Sequence, residues 1–145
     1  MDTIDQQVIS CLLQDGRATY AEIGDVVGLS APAVKRRVDR LLESGAVKGF
    51  TAVVDPAALG WTTEAYVEVY CTGTVAPQNL RRSLESVPEV VGACTVSGAA
   101  DALLHLLATD IGHLERAIER VRDNAHVDHT ESVIVLSRLI DRPRS

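Results

Sequence analysis

Four basic side chains, Lys35, Arg36, Arg37 and Arg40, sit within six consecutive positions, directly after the stretch Gly28-Leu29-Ser30. Cations at this density neutralise phosphate or carboxylate. Arginine adds a planar fork that meets a phosphate or a base edge with two donors. The background is acidic, with a net charge of −6 over 145 residues. Residues 1–54 hold six Lys/Arg against seven Asp/Glu, and residues 55–145 hold eight against thirteen. The positive patch therefore stands apart from its surroundings, and the net charge argues mildly against non-specific binding of nucleic acid.

Other reactive side chains are sparse. Of the four histidines, His105 falls in an apolar run and His113 reads as an exposed helix residue. His126 and His129 could offer two ligands to a metal or haem, but no Cys or carboxylate cluster supports them. No nucleophile–base set, Gly-rich phosphate loop or paired carboxylates stand out, so the chain reads as a non-enzyme with no cofactor and no metal. Cys11, Cys71 and Cys94 are odd in number and far apart, which fits buried thiols in a reducing cytosol rather than disulfides. The N-terminus "MDTIDQQ" lacks an apolar signal region, and no apolar run approaches the ~18 residues needed to cross a bilayer. The expected location is cytoplasmic, away from membranes.

The elements that must position the basic patch read as helices. Ile4, Val8, Cys11 and Leu12 recur at helical spacing behind Asp2 or Thr3, and Gly16 offers a left-handed stop. Thr19 and Glu22 have capping-box spacing for a second helix from Tyr20 to about Val27. Gly28 suits a turn needing positive φ, and Gly24 is small where the two helices would approach. Ser30 is placed to cap a third helix, with Pro32 in its first turn, that runs to Ser44. At about 100° per residue, Val34, Val38, Leu41 and Leu42 share one face of it. Arg36 and Arg40 point away, with Pro32 and Ala33 flanking them. Lys35 and Arg37 take the shoulders. Two short helices across a tight turn, the second basic outside and apolar inside, predict a helix-turn-helix. Ser30, Pro32, Ala33 and Arg36 would lie nearest the bases of double-stranded DNA, and Lys35, Arg37 and Arg40 nearer its phosphates. "VKGFTAVVD" (47–55) reads as a strand.

The second half changes period. "EAYVEVYC" (64–71) alternates strictly, with Ala65, Val67, Val69 and Cys71 on one face and Glu64, Tyr66, Glu68 and Tyr70 on the other. A helix bearing Leu80, Leu84 and Val87 follows. Then come two apolar strands, "EVVGACTVS" and "DALLHLLAT", joined by Gly98-Ala99-Ala100. A helix capped by Asp110 and a last strand, "VDHTESVIVLSRLI", complete a β-α-β-β-α-β order. With 3% aromatic residues, aliphatic side chains must fill the core. The expected fold class is α+β. A (winged) helix-turn-helix domain spans residues 1–54, a linker 55–62, and a ferredoxin-like domain 63–145.

Residues 4–60 strongly resemble the DNA-binding domain of the Lrp/AsnC (feast/famine) transcription regulators. The likeness rests on "DGR", "GLS", "RRVDRL", "GAVKGF" and "VDPAALG". "VPEV", "SGAADALL" and "VDHTESVIVL" resemble that family's effector-sensing and oligomerisation domain. The resemblance implies a sequence-specific transcription regulator. It implies a homodimer formed through the C-terminal sheets, and a tetramer of dimers. It also implies a free amino acid bound between dimers. The family's G-x-x-D turn matches Gly98-Ala99-Ala100-Asp101, preceded by Ser97. Its T-x-T matches Thr130-Glu131-Ser132, where Ser132 keeps a hydroxyl. The two alanines leave few side chains to read an effector. Alternatives are an architectural nucleoid-type protein that wraps DNA with little sequence preference, and a relative of haem-pathway decarboxylases.

Overall fold

The computed structural model describes residues 1–141, which fall into two compact units, one of Met1–Val53 with residues 140–141 and one of Val54–Leu139. The first is built from three helices: α1 (Thr3–Gln14), α2 (Tyr20–Val27) and α3 (Ala31–Glu43). Their start signals act as the spacing predicts. The Asp2 side chain accepts from the Asp5 N–H while the Asp5 carboxylate accepts from the Asp2 N–H, a reciprocal capping box. Thr19 and Glu22 form the same device at α2. Each box satisfies backbone donors that a helix start leaves orphaned. At α3, Ser30 occupies the N-cap position, but its side chain makes no capping hydrogen bond. The turn there is held by Gly28 (φ 71°) and by Pro32 in the first helical turn instead.

Val8, Ile23, Val34, Val38 and Leu41 form the core of this unit. Val34 and Val38 are fully buried, and each such side chain contributes about 1.5–3 kcal/mol. Leu42, expected on this face, is 37% exposed, because it sits one residue past the buried stripe as α3 ends. Two further expectations fail. Gly16 does not adopt positive φ; α1 ends at Asp15 in extended backbone. No strand forms over 47–55, so the unit has no wing. Among the described residues that segment has no strand partner, and Gly49 (φ 148°) breaks its extended run.

In the second unit a 3-10 turn (Pro56–Leu59) precedes β1 (Thr63–Cys71), α4 (Pro77–Leu84), β2 (Val90–Thr95), β3 (Ala102–Ala108), α5 (Ile111–Arg122) and β4 (Val127–Ile134). The antiparallel sheet has the order β2-β3-β1-β4, the split β-α-β-β-α-β arrangement. One sheet face is the core: Ala65, Val67 and Val69 of β1 with Ala102, Leu104, Leu106 and Ala108 of β3, covered by Leu80 and Leu84 of α4 and Leu114, Ala117, Ile118 and Val121 of α5. Among the described residues no helix of this unit packs on the other face, which carries two stacks, Tyr66 on His105 and Tyr70 on His129. The last strand stops at Ile134, short of the expected run to Ile140.

His113 is a further correction: it is not an exposed helix residue. Its Nε2 lies 2.6 Å from the buried Glu89 carboxylate, which Arg120 also meets at 2.5 Å. The Thr109 N–H donates to Nδ1 of His113, and Trp61 lies over its ring. Burial pushes the Glu89 carboxyl up, but His113 and Arg120 together hold it below the usual range.

A methyl group added at Gly24 would stand 2.3 Å from the Leu29 carbonyl oxygen. Gly24→Ala should therefore cost about 1–3 kcal/mol, the range for overpacking against groups that cannot move aside. Thermal unfolding followed at the helical circular-dichroism band checks this, and Gly16→Ala, with no contact closer than 3.8 Å, should melt close to the parent.

Candidate nucleic-acid interface and effector turn

The outward side of α3 is set by what its inward side buries. With Val34, Val38 and Leu41 packed on α1 and α2, Pro32, Lys35, Arg36 and Arg40 are exposed and Ala33 half-buried. Leu29, Ala33, Arg36, Arg37, Asp39, Arg40 and Glu43 line one shallow depression along this side. Small residues at the helix start let its tip come close to another surface, while the arginines reach further along it. Lys35 is tied to Asp39 at 2.6 Å, one turn on, which raises its pKa and offsets part of its charge.

Arg37 departs from its expected place on a phosphate-facing shoulder. Its guanidinium nitrogen donates to Asp2 at 2.8 Å and to Asp5 at 2.6 Å, and its side chain is 19% exposed. The reason lies in α1: its capping box presents two carboxylates where α3 passes. Arg40 is 65% exposed and 3.9 Å from Asp5, at the margin of an ion pair. No sequence feature marked Asp5 as a partner for α3. The signal available was an acidic pair, Asp2 and Asp5, at helix-start spacing with no local cation.

The second candidate lies at one end of the sheet. Val69 of β1 pairs with Ala102 on one side and Thr130 on the other, so the Gly98–Asp101 turn and Thr130 flank the same stretch of strand. Gly98 has φ 121°, a conformation side chains resist. Ser97, Gly98 and Ala99 are exposed, and Ala100 is buried. Asp101 closes the turn onto β1. Its N–H donates to the Val69 carbonyl and its Oδ2 accepts from the Cys71 N–H at 2.7 Å. Burial and the Asp101 charge push the Cys71 thiol up. The Thr130 hydroxyl accepts from Arg122 Nε at 2.8 Å, at the end of α5. Ser132, two residues on, pairs with Val67. The turn and Thr130 thus flank β1 near its end while Ser132 lies opposite its middle, and Asp101 and Thr130 already hold protein partners.

His126 and His129 find no third ligand. His129 meets Asp128 at 2.8 Å and stacks on Tyr70, and no group of three metal-ligating side chains occurs among the described residues. No helix among them is long and apolar enough to cross a membrane.

The family model for the AsnC-type helix-turn-helix domain matches residues 1–42, and that for the Lrp/AsnC ligand binding domain matches residues 64–145. The chain is 58% identical over 142 residues to HTH-type transcriptional regulator Rv2324 of Mycobacterium tuberculosis, covering 98% of this chain and 96% of that one. It is 34% identical to HTH-type transcriptional regulator LrpA of the same organism, covering 94% and 91%. Among solved structures it resembles the feast or famine regulatory protein Rv3291c of M. tuberculosis complexed with L-methionine. That match has a TM-score of 0.91 and 32% identity, and covers 99% of this chain and 97% of that one.

The pKa of Asp2 is held below its ordinary 3.8 chiefly by the Asp5 backbone N–H and then by Arg37; that of Asp5 likewise by the Asp2 backbone N–H and then Arg37. Groups depressed in the folded state contribute stability above the unfolded pKa and lose it as pH falls through the folded one. The melting temperature should therefore be insensitive to these two groups above about pH 5 and fall below pH 4. In Arg37→Gln the same acid limb should be shallower, which melting curves across pH 2–7 would show.

Proposed function

The chain belongs to the Lrp/AsnC family of transcription regulators, and from that premise we propose how this DNA-binding regulator uses its two sites. The outer stripe of α3 lies in the major groove of double-stranded DNA. Ser30, Pro32, Ala33 and Arg36 face base edges, and Lys35 and Arg40 face phosphates. One observation carries this reading: α3 buries Val34, Val38 and Leu41, so Arg36 and Arg40 lie on its exposed side, with Asp5 at the margin of Arg40. Two copies act together, because a two-fold dimer presents two such helices to half-sites ~10 base pairs apart or a multiple of that. The helix-free sheet face, with Tyr66, Leu103 and Leu107 half-buried and Val133 exposed, supports self-association through that surface, with dimers grouping further into a tetramer of dimers. Such a protein works in the cytoplasm.

The effector is a free amino acid or a close analogue, bound at the Ser97–Asp101 turn with Thr130 and Ser132 nearby. A relative 32% identical over nearly the full chain carries L-methionine. In this chain the exposed backbone of Gly98 and Ala99 would meet a carboxylate, and Oδ1 of Asp101 an ammonium. The two alanines leave the side-chain pocket to be shaped by neighbouring elements or by a second dimer. No catalytic step is part of this reading.

Footprinting against random-sequence DNA should reveal preferred, two-fold symmetric sites; protection without preference would favour the architectural alternative. On a preferred site, Arg36→Ala should weaken binding by about 1–3 kcal/mol, the value of a bidentate base contact. In a thermal-shift series over the twenty amino acids, an effector raises the melting temperature with log concentration. Asp101→Ala should remove that shift, and a full shift in the variant would place the effector elsewhere.

A further inference from the structure

The basic cluster is not chemically uniform, because one of its members is already occupied. Arg37 is clamped by Asp2 and Asp5, at 2.8 and 2.6 Å, while Arg36 and Arg40 are exposed. The clamp joins elements far apart in sequence: the residues are separated by 35 and 32 positions. It adds a directional constraint on how α3 is rotated about its own axis. The core residues Val34, Val38 and Leu41 are aliphatic, and their burial is non-directional. A guanidinium held by two carboxylates adds direction, since its hydrogen bonds are angle-dependent. The carboxylates are immobile in turn, because each also accepts from the other residue's backbone N–H in the α1 capping box. Asp5 is 8% exposed and lies 3.9 Å from the Arg40 guanidinium, so the same group reaches the side chain expected on phosphate.

We propose that Arg37 is a positioning residue rather than a DNA contact: the Asp2–Asp5 pair at the start of α1 grips it and thereby sets the rotation of the recognition helix, with Asp5 also steering Arg40. This rests on the reading that α3 enters the groove. It assigns a DNA-recognition role to two acidic residues that need not touch DNA. Electrostatics alone gives the opposite expectation for them. Removing negative charge near a phosphate backbone should strengthen binding. Removing the grip should instead weaken binding to a preferred site, because a rotated helix misplaces Arg36 relative to the base edge.

The test uses the full chain and two duplexes. One is selected by the parent protein from random sequence; the other is a scrambled duplex of the same length and composition. Affinities are measured from low to moderate salt. Each cation that contacts a phosphate contributes about 0.9 to the slope of log affinity against log salt. Arg40→Ala should lower the slope by about that amount. Arg37→Gln should leave the slope unchanged yet lose about tenfold or more on the selected duplex, with little change on the scrambled one. Arg37→Lys, which can keep one ion pair, should recover part of the loss. Asp5→Asn and Asp2→Asn (asparagine remains a favoured N-cap) should lower selected-duplex affinity while scrambled-duplex binding holds or rises. Circular dichroism confirms that each variant is folded; if Arg37→Gln is not, the two aspartate variants decide alone. A slope reduced by about one unit in Arg37→Gln, or an unchanged ratio of selected to scrambled binding in both aspartate variants, overturns the proposal. If the parent itself shows no selected duplex, or Arg36→Ala and Arg40→Ala bind as the parent does, the groove reading fails instead.

Discussion

The N-terminal unit depends on one close backbone approach. The Leu29 N–H donates to the Gly24 carbonyl, and the Leu29 carbonyl passes so near Gly24 that a methyl group there would overlap it. This contact closes the turn between α2 and α3. Once it is closed, Val34, Val38 and Leu41 pack with Ile23 and Val8, which decides the face that α3 turns inward. Everything said of Arg36 and Arg40 follows, because a helix buried along one stripe must offer the opposite stripe to solvent. A short basic helix alone would be marginal in water; here packing holds it in shape before any ligand arrives.

The second unit solves a different problem with the same economy of side chains. Its sheet has a face of Val, Leu and Ala under α4 and α5, and a face without helices bearing Tyr–His stacks and carboxylates. The buried carboxylate of Glu89 has one oxygen gripped by His113 and Arg120, and the other meets no hydrogen-bond partner among the described residues. A buried charge is tolerated when paired, and here the pairing ties β2's leading edge to both ends of α5. Arg122, near the end of that helix, then meets Thr130 on β4. The turn and strand end that the family likeness marks for an effector are thus built on packed, hydrogen-bonded supports.

Much of this was legible in the chain itself. A cap at Asp2 or Thr3, the capping box at Thr19, the positive φ of Gly28, the small residue at Gly24 and the strict alternation of residues 64–71 each name a local geometry that the sequence exposes, while the reciprocal partner Asp5 came only with the structure. What was not legible involves partners distant along the chain. Arg37 reads as one more cation until the start of α1 is brought beside it. His113 reads as a surface residue until Glu89 lies under it. The strand expected at 47–55 has the right residue types but no partner among the described residues, and strand propensity without a ladder does not make a strand. Of the residues proposed for an effector, the turn and Thr130 flank the same stretch of β1 and Ser132 lies further in, but the partners of Asp101 and Thr130 come from pairing register, which spacing along one chain does not disclose.

The central claim is that the stripe opposite the α3 core is what meets the duplex groove. Nuclear magnetic resonance of the arginine Nε–Hε groups during titration with a selected duplex tests it most directly. The account predicts large shifts for Arg36 and Arg40 together with the backbone amides at the start of α3, while the Arg37 signal stays near its free position. Shifts confined to Arg17, Arg81 or Arg82, with α3 silent, would contradict it.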